Sequence, residues 1–280
     1  MGYILLNDQF FLQDETILKA TNRGFKFGDG LFETMRMCNG KLQFAEFHAD
    51  RMQASMKALK MDGFNLLDEY FLKQKTGELA RKSKIGNNAR FRLTIYREGE
   101  GLYTPTSNKV GYLLEISSLE TAQYELNKKG LIVDIYGELV KPINKFSNYK
   151  TTSALPFVMA AIHQKQNNLD EVFLLNQNGF LCESTSSNVF VVYKNQVFTP
   201  ALSEGCVAGV MRSVMMQIAK QNQITLTEAQ INPQILLEAE EVFVTNAISG
   251  VRWVMGYGRR RYFNEVAKTF NAKLNAQISL

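Results

Sequence analysis

The chain is poor in the residues that build disulfide frameworks and metal centres. It has three cysteines, Cys38, Cys182 and Cys206, in 280 residues. An odd count, with spacings that fit no zinc pattern, argues against a disulfide scaffold and favours a reduced, cytoplasmic setting. Only two histidines occur, His48 and His163. A histidine-rich metal site or a histidine-based catalytic triad has little material, so no metal is expected. No stretch reaches the roughly 20 apolar residues that span a bilayer. The first residues, MGYILLNDQF, lack the basic region and apolar length of a signal peptide, and Leu6 stands where a myristoylation signal needs Ser or Thr. Low-complexity tracts and solenoid repeats are absent. The net charge of +5 is mild for this length. It suits small anionic ligands and gives no reason to expect nucleic acid or membrane partners. The one basic run, Arg259–Arg261, follows a GYG turn and reads as a solvated loop.

What is present is ordinary for a globular protein: 45% hydrophobic and 21% charged residues, with length enough for two domains. The first part mixes α and β. YILLN and the segment after it predict a hairpin at Asn7-Asp8, and LFETMRMCNGKLQF predicts another at Asn39-Gly40. EFHADRMQASMKALKM predicts a helix with Met52, Met56 and Leu59 as its apolar stripe, and LLDEYFLKQKTGELARKS predicts a second. ARFRLTIY alternates, with Phe91, Leu93 and Ile95 on one face and Arg90, Arg92, Thr94 and Tyr96 on the other. VGYLLEISS is a further strand. The composition then softens, which suggests domains at 1–118 and 129–280 with a linker at 119–128. In the second part LIVDIYGEL is a strand, and EVFLLNQNGFLCE and NVFVVYKNQVFT are hairpins turning at Asn178-Gly179 and near Lys194-Asn195. GVMRSVMMQIAKQN is a helix with Val210, Val214 and Ile218 on one face, and EEVFVTN is a late strand.

Five stretches carry possible chemistry. In LCESTSSNVF one carboxylate, Glu183, sits among small hydroxyl residues, with no neutralising charge nearby and Asn188 five residues later. In SEGCVAGVMR, Gly205 and Gly209 precede a helix. Such an entry either aims free backbone N–H groups at a phosphate or is an ordinary glycine loop. FKFGDGLFETMR has Gly28 and Gly30 close together. A dinucleotide fingerprint fails there because Glu33 stands three after Gly30, and a bend feeding a hairpin is the plainer reading. HADR sets His48 and Arg51 one turn apart, either as a surface pair or with Arg51 as a fork for phosphate oxygens. SNYKTT places Lys150 at the expected start of a helix, with Thr151 and Thr152 as cap material. There it either points away to solvent or is pushed by the helix dipole toward the neutral amine of a Schiff-base nucleophile.

Taken in order, NRGFKFGDGLFETMR, HADRM, NYKTTSAL, DEVFLLNQNGFLCESTSSNVFVV, TPALSEGCVAGVMR and EVFVTNAISGV resemble the signature blocks of the fold-type IV pyridoxal-phosphate enzymes, also called class IV aminotransferases. That family includes branched-chain aminotransferases, D-amino-acid aminotransferases and aminodeoxychorismate lyases. The resemblance runs from about residue 20 to 255. It implies an α/β fold of two domains, a smaller N-terminal α/β sandwich and a larger hairpin-rich C-terminal pseudo-barrel, with pyridoxal 5′-phosphate between them. Lys150 would carry the cofactor as a Schiff base and then move the proton between Cα and C4′. Arg51, Gly209 and the backbone N–H groups of Val210 and Met211 would hold the phosphate. Glu183 would pair with the pyridine nitrogen, Val207 would pack on the ring, and Asn188 would support the hairpin. Met211 and Ala247 stand where relatives carry hydroxyl residues, so only backbone contacts are implied there.

For substrate the signs diverge. Arg36 and Arg92 resemble a carboxylate-binding pair of branched-chain aminotransferases. Phe32 and Thr34 are further substrate candidates, and Thr34 resembles a threonine used by the lyases. Leu155 looks like the D-amino-acid and lyase branches, and Leu102 falls about where some lyases place an arginine. The expectation is a homodimeric aminotransferase acting on a small branched-chain or hydrophobic amino acid and a 2-oxo acid. The alternatives are aminodeoxychorismate lyase, forming 4-aminobenzoate and pyruvate, and D-amino-acid aminotransferase.

Overall fold

The structure, a computed structural model, describes residues 2–278. Its packing divides the chain into two compact units: Met1–Ala122 with Tyr149–Ser153, and Gln123–Asn148 with Ala154–Leu280. Both are mixed α/β, as the sequence predicts.

The first unit is built on an antiparallel six-stranded sheet. Its strands are β1 (Tyr3–Leu6), β2 (Gln9–Leu12), β3 (Gly30–Cys38), β4 (Lys41–Leu42), β5 (Ala89–Arg97) and β6 (Val110–Ser118), in the order β2-β1-β6-β5-β3-β4. Both predicted hairpin turns form. Asn7 and Asp8 have φ of 45° and 67°, and Asn39 and Gly40 have 50° and 76°, the left-handed pairs that two-residue turns require. Three helices accompany the sheet: α1 (Arg23–Phe27), α2 (Ala45–Ala58) and α3 (Glu69–Ser83). Asp68 caps α3 by accepting from Phe71 N at 2.8 Å. Phe91, Leu93 and Ile95 of β5 are fully buried with Leu31 and Met35 of β3 and with Met52 and Met56 of α2. Each such side chain contributes about 1.5–3 kcal/mol, and their shared face is what presses α2 onto β3.

The segment Tyr149–Ser153 departs from expectation. Lys150 does not begin a helix, and Thr151 and Thr152 are not its caps. The segment is extended: Phe32 N donates to Lys150 O at 2.9 Å, Thr152 N donates to Gly30 O at 3.0 Å, and Thr151 bridges Leu31. Thr152 Oγ1 donates to Gly28 O. The next helix, α4 (Leu155–Gln166), starts only where Pro156 can occupy its first turn, a position that needs no N–H donor. The helix-dipole argument for Lys150 therefore does not apply.

The second unit holds a nine-stranded sheet. Its strands are β7 (Leu131–Lys141), β8 (Glu171–Asn176), β9 (Leu181–Ser184), β10 (Asn188–Tyr193), β11 (Gln196–Pro200), β12 (Leu226–Ala229), β13 (Glu241–Asn246), β14 (Gly250–Tyr257) and β15 (Arg260–Arg261). The order is β12-β11-β10-β13-β14-β7-β8-β9, with β15 beside β14. Helices α4, α5 (Val210–Gln221) and α6 (Glu265–Ile278) complete it, with α4 on β7 and β8. Strands β8 and β10 are apolar on both faces, and nearly every residue in them is buried. Phe190 stacks on Phe243 at 5.0 Å, and Phe243 meets Phe270 in a tilted contact at 5.6 Å, tying β10, β13 and α6 together. Five elements, α1, β12, β14, β15 and α6, are not among those expected from sequence.

Candidate active site

In the first unit, β3 sends alternate side chains to opposite faces. Leu31, Glu33 and Met35 go to the buried face, where α2 lies, and Phe32 and Thr34 go to the other. Glu33 is thus a carboxylate in the core, 1% exposed. His48 and Arg51, one turn apart on α2, both reach it. Arg51 Nε donates to Oε1 at 2.8 Å and Nη2 donates to Oε2 at 2.5 Å, while His48 Nδ1 lies 2.6 Å from Oε2. Burial alone would push the Glu33 carboxyl up, but the charge of Arg51 and the contact with His48 outweigh it and hold it at about 2. His48 is pushed below its ordinary value by burial, opposed by Glu33 and reinforced by the charges of Arg51 and Lys150. The pair is no surface feature.

On the opposite face, Lys150 Nζ lies 4.5 Å from the centre of the Phe32 ring, and the Arg92 guanidinium lies 3.9 Å from the same ring. Thr34 is paired with Arg92 across β3 and β5. An amine, a guanidinium, a hydroxyl and an aromatic ring therefore meet on one sheet face. Arg36 behaves differently. It is buried, with Nε on Cys38 Sγ at 3.2 Å and Nη2 on Thr121 O at 2.8 Å, so it braces the sheet edge rather than standing with Arg92. Leu102 is exposed, and its carbonyl accepts from Arg23 at 2.7 Å.

In the second unit, Glu183 of β9 has protein partners that sequence did not show. Lys141, from the end of β7, forms an ion pair with Oε1, and Val207 N donates to Oε2 at 3.1 Å. Asn188 Nδ2 donates to Val207 O at 2.9 Å. Glu183 and Asn188 thus hold the two sides of the Val207 backbone, just ahead of α5. Asn188 supports that loop. Its side chain also explains Gly209: a Cβ there would stand 1.7 Å from Asn188 Oδ1. Gly209 caps α5 with no side-chain hydrogen bond, and the first turn, beginning Val210 and Met211, holds no acidic residue. The amide donors of that turn and the helix dipole together favour an anion. Ala247 follows Asn246, whose Oδ1 accepts from Ile248 N and Ser249 N at 3.0 and 2.8 Å; the Ala247 carbonyl accepts from Tyr124 Oη at 3.2 Å.

Glu33 and Lys141 are the two residues that sequence reasoning missed. Glu33 had a signal: an acid on the buried face of an otherwise apolar alternating strand needs a cation. Lys141 had none, because its partner lies 42 residues away. Among the described residues, no group of three His, Cys, Asp or Glu side chains is placed to hold a metal ion, and no helix is long and apolar enough to cross a membrane. The three cysteines are free and buried. The Arg259–Arg261 run ends in structural bonds, with Arg260 donating to Ala239 O at 2.7 Å.

A family model described as amino-transferase class IV matches residues 30–256. The chain is 26% identical over 263 residues to a putative branched-chain-amino-acid aminotransferase of Methanocaldococcus jannaschii, spanning 89% of this chain and 85% of the relative. It is 25% identical over 248 residues to an aminodeoxychorismate lyase of Bacillus subtilis, spanning 88% and 83%. It is 26% identical over 249 residues to a D-alanine aminotransferase of Listeria monocytogenes, spanning 87% and 83%. Among solved structures, the branched-chain aminotransferase of Thermoproteus uzoniensis with norvaline superposes with a TM-score of 0.87 at 19% identity, covering 99% of this chain and 94% of that one. An aminotransferase of Brucella abortus bound to PLP gives 0.87 at 19%, covering 99% of each. At such identities the structural likeness speaks for the fold. The family model spans most of the chain, and the chain belongs to the class IV aminotransferases.

Proposed function

We propose that this chain is a pyridoxal 5′-phosphate enzyme that moves an amino group between a small branched-chain or hydrophobic amino acid and a 2-oxo acid. The observation that carries the reading is Lys150, an amine fixed by its backbone to the edge of β3 and set beside Phe32 and Arg92. The residues fit the cofactor. The N-terminus of α5 is an uncapped, acid-free anion cradle, Gly209 is kept small by Asn188, and Glu183 offers a buried carboxylate.

When bound, the cofactor supplies an aldehyde for amines and a ring that takes up the electron pair left at Cα. Lys150 would hold it and would move the proton at the substrate Cα. Arg51, oriented by Glu33, and, from the second unit, the amides of Val210 and Met211 are the groups that would hold its phosphate. Glu183 would meet the pyridine nitrogen, and Val207 would pack on the ring. Ala247 lacks a hydroxyl and contributes backbone alone. Arg92 binds the substrate carboxylate, with Phe32 and Thr34 beside it, and Arg36 supports the sheet edge.

The working form is a cytoplasmic homodimer. Support for an interface comes from α4, where Leu155, Val158, Met159 and Ile162 form an exposed apolar stripe at helical spacing. Support for a reducing compartment comes from three free cysteines.

One observation favours a second reading as lyase: the Thr34 hydroxyl stands in register with Arg92 on the face that Lys150 approaches. Purified protein is expected to be yellow, and borohydride is expected to fix the cofactor on Lys150. A colourless protein that takes up no added cofactor overturns the reading. Supplying 2-oxoglutarate with a panel of L- and D-amino acids separates the substrates. Pyruvate release from aminodeoxychorismate without an amino acceptor replaces the transferase with the lyase.

A further inference from the structure

Glu183 already has a cation. Strand β7 loses its regular register between Tyr136 and Lys141, and Lys141 re-pairs with Asn176 of β8, one strand away from β9. That irregularity brings Nζ to Glu183 Oε1, where it also donates to Ser147 O at 3.2 Å and lies 5.4 Å from the Phe157 ring. Lys141 is 8% exposed and Glu183 3%. Neither charge has water to fall back on, so each depends on the other. Val207 N–H occupies the second oxygen. A carboxylate offers about four acceptor positions, which leaves room for a third donor on Glu183.

Resting on the cofactor reading above, we propose that Lys141 is a resident counter-ion and positioning residue: it shares Glu183 with the protonated ring nitrogen of the cofactor and so sets how strongly that nitrogen is held. Without cofactor, Lys141 keeps the buried carboxylate paired and in place. With cofactor, the nitrogen binds a carboxylate whose charge is already partly compensated. Removing Lys141 leaves Glu183 with one amide donor, and the ring nitrogen becomes its main compensation. The contact to nitrogen should then strengthen, although the protein without cofactor weakens.

The test uses two probes: pyridoxal 5′-phosphate and its carbocyclic 1-deaza analogue, which has the same aldehyde and phosphate but no ring nitrogen. Dissociation constants for both are measured on the native chain, Lys141→Met and Lys141→Arg, together with melting temperatures with and without each probe. In Lys141→Met the preference for the natural cofactor over the analogue should grow by about tenfold, the scale of one charge-assisted hydrogen bond gained. The melting-temperature rise on adding the natural cofactor should exceed that of the native chain. Lys141→Arg, which keeps the charge, should return the preference to near native. An unchanged preference in Lys141→Met overturns the proposal, because a merely structural lysine would weaken both probes alike. Should Lys141→Met not fold without cofactor, Lys141→Gln and refolding with each probe decide it. Recovery with the natural cofactor but not the analogue supports the proposal, and equal recovery, or none with either, overturns it. Uptake of neither probe by the native chain sinks the cofactor reading itself, and the inference with it.

Discussion

Glu33 receives two parallel hydrogen bonds from Arg51, at 2.8 and 2.5 Å, from the buried side of β3. The arrangement locks the plane of the guanidinium, which a flexible side chain on α2 would not hold alone. Removing one partner of a buried pair leaves the other uncompensated. Glu33→Ala should cost about 3–5 kcal/mol, measured by urea unfolding of the cofactor-free protein, and should weaken cofactor binding through Arg51. A variant as stable as the native chain would show that Arg51 finds water or another partner instead.

The same cluster sets a pH dependence. Glu33 has an ordinary value of 4.5; burial would raise it, but Arg51 and His48 hold it at about 2. A depressed carboxyl stabilises the fold fully above 4.5 and loses that stabilisation as the pH falls toward 2. His48 is pushed below its ordinary 6.5, chiefly by burial. The unfolded chain therefore takes up the proton first, and stability erodes as the pH drops below 6.5. Both groups act in the same direction. Urea midpoints should fall from pH 7 to pH 4, and His48→Gln should flatten the upper part of that slope. An unchanged slope in His48→Gln would remove the histidine from the account.

Lys150 joins the sheet through its backbone, not its amine. Lys150→Ala should therefore keep the native fold by circular dichroism. Turnover should fall by about 10²–10⁴-fold, the range for a positioned general base, and borohydride should leave no covalent cofactor. Covalent capture that persists in the variant would point to a different amine.

Gly209 has no room for a side chain, since a Cβ would meet Asn188 Oδ1 at 1.7 Å. Gly209→Ala should cost about 1–3 kcal/mol by overpacking and should lower phosphate affinity by shifting the first turn of α5. Adding Asn188→Ala should recover part of the stability but not the affinity, because Val207 O then loses its donor. Equal recovery of both would make Asn188 dispensable to the loop.

Glu183→Gln should retain covalent capture on Lys150, because it leaves the lysine intact, while turnover falls by about 10²–10³-fold, the loss seen when one preorganised electrostatic contact is removed. Unchanged turnover would reduce Glu183 to a partner of Lys141 alone.

Sequence by itself determined the local elements. The turns at Asn7-Asp8, Asn39-Gly40, Asn178-Gly179 and Lys194-Asn195 depend on left-handed backbone that few residues adopt. The apolar faces of β5, α2 and α5 follow from periods of 2 and 3.6. These signals span a few residues, so they are readable without the fold. Strand β14 carried a weaker pattern, and α6 has its stripe, Ala267, Phe270 and Leu274, at the far end of the chain. What only the tertiary structure decided is who pairs with whom. Arg51 meets Glu33 from 18 residues away, Lys141 meets Glu183 from 42, and Lys150 leaves the expected helix start to join a sheet more than a hundred residues upstream. A charge finds its partner through strand register and helix packing, which no short window contains. Glu183 therefore read as a lone acid in the sequence and is a paired one in the fold.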